Sequence, residues 1–117
     1  MSRSSGHRTG TIRVAVLTIH GNLMGPPDTD DLIEKVKDLV ENGVFRIVLE
    51  LRHVRWINSL GVGSILHCRS MIDNAGGWLH LSSLSEKVRS VFIMSQLTKV
   101  FSIHDSFKEA VEELNKV

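Results

Sequence analysis

The run Phe45-Arg46-Ile47-Val48-Leu49-Glu50-Leu51 sets the strongest limit on what this chain can fold into. It is nearly continuous in apolar and β-branched residues, the composition of a strand covered on both faces and so placed mid-sheet. Covering both faces of a sheet takes helices. This run, like every other apolar stretch in the chain, is far shorter than the roughly 20 residues a helix needs to cross a bilayer.

Strand and helix periods alternate around it. Thr11 to Ile19 sets Ile12, Val14 and Val16 against Arg13, Ala15 and Thr18, a strand closed by Gly21. After the loop Met24-Gly25-Pro26-Pro27-Asp28, either Asp28 or Thr29 is positioned to cap a helix. Its apolar stripe is Leu32, Val36, Leu39 and Val40, and Asn42-Gly43 stops it. Beyond the central strand the helical period returns at Leu60, with Val62, Ile65, Leu66, Cys68 and Ile72 turned inward, and ends near Gly76-Gly77. Trp78 to Leu81 reads as a short strand. Ser85 caps a third helix with Val88, Val91, Phe92 and Ser95 on its inner face, and Val100 to Ile103 is a brief strand. Ser106-x-x-Glu109 has the form of a capping box and opens a last helix through Phe107, Ala110, Val111 and Leu114. The expected fold is α/β: a flexible Ser/Gly-rich leader over 1–10, then one domain over 11–117. That domain holds a mixed, mostly parallel sheet of four to five strands and four helices, joined by right-handed crossovers.

A chain of 117 residues can bury a core without metal or disulfide staples. Fourteen Lys+Arg against thirteen Asp+Glu give a formal charge of +1 with the signs mixed, which gives no strong attraction to nucleic acid or to an anionic membrane. The basic bias of Arg3, His7, Arg8 and Arg13 reads as a solubilising tail. Cys68 is the only cysteine, so no intrachain disulfide can form, and a buried structural thiol in a reducing compartment is expected. The leader shows no signal-peptide core, so the expected location is the cytoplasm, with no membrane insertion.

The chemistry concentrates at Trp56-Ile57-Asn58-Ser59-Leu60-Gly61-Val62-Gly63-Ser64-Ile65-Leu66, where a buried strand passes into a helix and presents the Ser59 hydroxyl. A hydroxyl there can accept from the free N–H groups of the first helical turn, and the same place is receptive to an added phosphate. Ser59 is therefore a helix cap or a switch. The six histidines show no metal-ligand spacing. No carboxylate pair suggests acid–base catalysis; Asp28, Asp30, Asp31 and Glu34 instead complement the positive end of the first helix. Gly61-Val62-Gly63 is only part of a dinucleotide fingerprint, since Leu66 stands where the third glycine belongs. Small residues in a first helical turn also let its backbone approach the sheet or a partner closely. No metal, cofactor or catalytic residue is expected.

These residues resemble the STAS domain of anti-sigma-factor antagonists. The likeness runs from Thr11 to Leu114: Gly21-Asn22-Leu23, Ile47-Val48-Leu49-Glu50-Leu51, Ile57-Asn58-Ser59-Leu60-Gly61-Val62-Gly63, Gly76-Gly77, Phe101-Ser102-Ile103 and Glu109-Ala110. In that family the turn usually reads Asp-Ser-Ser/Thr-Gly-Leu-Gly, and its first Ser is phosphorylated by a serine kinase that is also the anti-sigma factor. The unphosphorylated domain binds that kinase and frees the sigma factor; the phosphorylated domain lets go. The resemblance makes Ser59 the phosphoacceptor, with Asn58, Leu60, Gly61, Val62, Gly63 and Met24 as the docking residues. Asn58 replaces the family's Asp, Leu60 its second hydroxyl residue, and Met24 an acidic residue after the first strand. A phosphate on Ser59 could be held by helix N–H groups.

The resemblance implies a non-enzymatic regulator that binds a serine-kinase anti-sigma factor, itself a monomer or weak homodimer, with no direct contact to nucleic acid. A second reading keeps protein binding without phosphorylation, as a scaffold or accessory subunit of a sensory or transport complex. A third, of another class, is a small nucleotide-binding domain.

Overall fold

The computed structural model describes residues 5–9 and 12–117; the other positions of the expected leader, and Thr11, lie outside the described residues. Five strands pair in the order β1 (Ser5–Thr9), β2 (Ile12–His20), β3 (Arg46–His53), β4 (Trp78–Ser82) and β5 (Ser102–His104). The four from β2 to β5 are parallel, and β1 lies antiparallel along β2 as an edge strand made from part of the expected leader. The helices are α1 (Asp28–Glu41), α2 (Ser59–Asn74), α3 (Glu86–Met94) and α4 (Phe107–Leu114). This is the expected α/β arrangement, and β3 lies at the centre.

Period-two alternation divides the sheet's two faces. Ala15, Leu17, Ile19, Ile47, Leu49, Leu51, Leu79 and Leu81 point to one face, where α1 adds Leu32 and Val36, α2 adds Ile65, Cys68 and Ile72, and α3 adds Val88 and Phe92. Val14, Val16 and Val48 point to the other face, under Ala110 and Leu114 of α4. Ile47 to Leu51 is buried throughout, because both faces of β3 are covered.

Local signals place most helix ends. Ser85 Oγ accepts from Val88 N–H at 3.3 Å, and Ser106 Oγ accepts from Glu109 N–H at 3.2 Å, as the sequence predicts. The start of α1 differs: Pro27 holds the cap position with no side-chain hydrogen bond, and Asp28 is already helical, so neither Asp28 nor Thr29 caps it. Proline suits a helix start because it has no N–H to leave unsatisfied. Leu66 and Ser95, expected inside, are exposed, since each falls just past the buried stripe of its helix.

A parallel sheet with α1, α2 and α3 on one face brings the starts of all three helices to the C-terminal end of the strands. Each of these helices links neighbouring strands, so their order across the face is α1, α2, α3.

Candidate functional site

At that end two loops are tied together. Leu23 forms an isolated parallel bridge to Ile57, with Leu23 N–H donating to Trp56 O at 3.0 Å and Asn58 N–H to Leu23 O at 3.3 Å. Asn22 Oδ1 accepts from Trp56 N–H at 3.1 Å. These bonds hold Asn58 in an extended conformation, φ −122°, immediately before α2.

Asn58 is the residue that caps α2. Its Oδ1 accepts from Leu60 N–H at 3.0 Å and Gly61 N–H at 3.1 Å, while its Nδ2 donates to Met24 O at 2.9 Å. The capping role expected as one option for Ser59 therefore belongs to its neighbour. Ser59 is the first helical residue, it is exposed, and its hydroxyl makes no hydrogen bond among the described residues. With the Leu60 and Gly61 N–H groups engaged by Asn58, the turn lacks the cluster of free donors that cradles a nucleotide phosphate.

The two glycines do different work. A Cβ on Gly61 would run into the Leu23 carbonyl oxygen and into Ile57 Cγ1, so only glycine lets α2 start this close to the Leu23 loop. A Cβ on Gly63 would meet nothing within 4 Å. Gly63 leaves an open surface beside Ser59 instead.

The proposed docking residues thus divide into an exposed set and a supporting set. Met24 is 48% exposed and Leu60 58%; Leu60 shares one open groove with Ser59 and Gly63, and Met24 is tied to the turn by the bond its carbonyl accepts from Asn58. Gly61 is buried and Val62 packs against the core, so these two support the surface from below. An open groove of about 330 Å³ runs past Ser59, Leu60 and Gly63 to Pro26 and Asp30 at the start of α1. On the other side stands Trp56, 48% exposed, with Lys87 Nζ 3.8 Å from the centre of its ring. Sequence reasoning placed Trp56 in this stretch but gave it no role and did not pair it with Lys87, because the pair forms only when the β3–α2 loop meets the start of α3.

Among the described residues no group of three His, Cys, Asp or Glu side chains is arranged to hold a metal. Cys68 is fully buried, and burial pushes its thiol up to about 12. The histidines are less scattered than their spacing suggests: His20 stacks on His53, and His80 stacks on His104 with Nδ1 2.9 Å from Nε2.

The sequence model of the STAS domain family matches residues 8–110. The chain belongs to that family. A Thermotoga maritima relative named as an anti-sigma factor antagonist is 32% identical over 79 residues, 68% of this chain and 70% of the relative. An anti-sigma F factor antagonist of Paenibacillus polymyxa is 32% identical over 71 residues, 61% of each chain. The crystal structure of the Thermotoga protein TM1081 superposes with a TM-score of 0.80 at 29% identity, covering 87% of both chains. SpoIIAA, an anti-sigma factor antagonist solved in its unphosphorylated form, has a TM-score of 0.71 at 19% identity, covering 98% of this chain and all of its own, and so shares the STAS fold. No helix among the described residues is long and apolar enough to cross a membrane.

Proposed function

We propose that this STAS protein is an anti-sigma-factor antagonist that works by partner switching: it docks a serine-kinase anti-sigma factor through the start of α2 and releases it when Ser59 is phosphorylated. The observation that carries this reading is the division of labour between Asn58 and Ser59. Asn58 caps the helix, so the Ser59 hydroxyl is exposed, makes no hydrogen bond among the described residues and is open to a kinase active site.

The electrostatics favour a switch. A phosphate on Ser59 adds about −1.5 to −2 charge at the positive end of α2, where the helix dipole stabilises it within the free domain. In a docked complex the same charge would be pressed between Leu60, Met24 and the partner, where lost hydration disfavours binding. With Leu60 and Gly61 N–H already engaged, the phosphate projects outward and acts on the partner surface. The names of the relatives support the antagonist role, and a surface of backbone, glycine and exposed apolar side chains suits protein contact better than catalysis.

The test is incubation with the serine-kinase anti-sigma factor encoded in the same genome and ATP, followed by mass spectrometry and pull-down. Modification at Ser59 is expected, with wild type and Ser59→Ala retained and Ser59→Asp released. An unmodified Ser59, or equal recovery of all three forms, would overturn the switch.

A further inference from the structure

The three helix starts that surround Ser59 carry different charges, in spatial order. Exposed Asp28, Asp30 and Asp31 stand at the start of α1, and none forms an ion pair among the described residues. Neutral Ser59 and Leu60 occupy the start of α2. Arg55 and Lys87 line a groove of about 270 Å³ with Trp56 at the start of α3, likewise outside any ion pair among the described residues and opposed there by the single carboxylate of Glu86.

The acids at α1 match the positive end of that helix, so its dipole alone would explain them. The same dipole argues against a cation in the first turn of α3. Lys87 is nonetheless there, lifted over the Trp56 ring, with Arg55 beside it. The Trp56 ring steadies the Lys87 ammonium against that dipole, and neither Lys87 nor Arg55 forms an ion pair among the described residues, so both positive charges are available to an external anion.

Resting on the partner-switching proposal, we infer that this end of the molecule is a polar strip that fixes the orientation of the anti-sigma factor. The docked partner places basic side chains against Asp28, Asp30 and Asp31, apolar side chains against Leu60 and Met24, and acidic side chains against Arg55 and Lys87. Opposite poles on either side of Ser59 make the reversed orientation repulsive at both ends, and such charges act mainly on register and association rate. The phosphoacceptor is thereby presented to the kinase in one direction.

Calorimetric titration with the same kinase-type anti-sigma factor tests this, at 50 and at 300 mM NaCl. Asp30→Lys, Arg55→Glu and Lys87→Glu are each expected to weaken binding about tenfold at low salt, whereas Lys108→Glu on α4 leaves it unchanged. Raising the salt weakens the wild type several-fold and narrows the gap to the variants. Lys87→Glu complements the α3 dipole, so it should unfold at the wild-type temperature or above, separating lost binding from lost fold. If Lys87→Glu fails to fold, Lys87→Gln serves instead, with a loss of about threefold expected. Wild-type binding with all three strip variants within twofold of it, or a loss confined to one pole, overturns the polar strip and leaves the docking proposal standing. Absence of wild-type binding removes both.

Discussion

Asn58 does two jobs that an aspartate could do only in part. Its carbonyl oxygen caps α2 as a carboxylate would, but its amide also donates to Met24 O at 2.9 Å, and a carboxylate has no proton to give. Asn58→Asp should therefore keep the helix start yet release the Met24 loop, at a cost of about 1 kcal/mol, while Asn58→Ala loses cap and tie together, about 2 kcal/mol. Urea unfolding at neutral pH measures both. The glycines offer a sharper contrast. Gly61→Ala drives a methyl group into the Leu23 backbone and should cost about 3 kcal/mol, whereas Gly63→Ala has open space and should gain about 0.5–1 kcal/mol from helix propensity. If the exposed surface at Gly63 is where the partner docks, Gly63→Ala should also weaken partner binding, so stability and affinity move in opposite directions. From sequence alone, Ser59 was the residue that could cap this helix, and Asn58 had no such role. The choice is made by Leu23, thirty-odd positions away, whose bridge to Ile57 holds Asn58 extended.

At the scale of elements, periodicity was enough to find α1 to α4 and the strands β2 to β5, because each must turn an apolar stripe or alternating face to a common core. Side chains that meet only through sheet register were out of reach. His80 and His104 lie on neighbouring strands and pair there, with Glu113 of α4 close by. Burial, and next the repulsion of His104, lower the His80 pKa below its usual value, against a smaller opposing pull from Glu113. The sign of the pH effect follows. A histidine held neutral in the fold and protonated more readily when unfolded contributes stability above the unfolded pKa near 6.5, and that stability is lost as pH falls through the lower folded value. Urea midpoints taken at pH 7.5 and at pH 5 should show a fall on acidification, and His80→Gln should reduce that fall.

For the whole molecule, the sheet separates two cores, with Ser59 at the end served by α1, α2 and α3, and α4 packed on the opposite face. Ser59 is exposed in the first turn of α2 and holds nothing else in place, so a negative charge there breaks no contact that the fold depends on. A switch built this way changes the surface offered to the partner and leaves both cores as they were. Close packing would carry a real shift of α2 through the sheet into the Val14, Val48 and Ala110 cluster. Ser59→Asp should accordingly unfold at the wild-type temperature or slightly above it, since a carboxylate at a helix start is stabilising by about 0.3–1 kcal/mol. In amide NMR spectra the changes on introducing Ser59→Asp should stay within residues 22–26 and 55–64, with Val14, Val48 and Ala110 unmoved. Shifts spreading into that cluster, together with a lowered unfolding temperature, would mean that the charge acts by reshaping the domain rather than by repelling the partner at the docking surface.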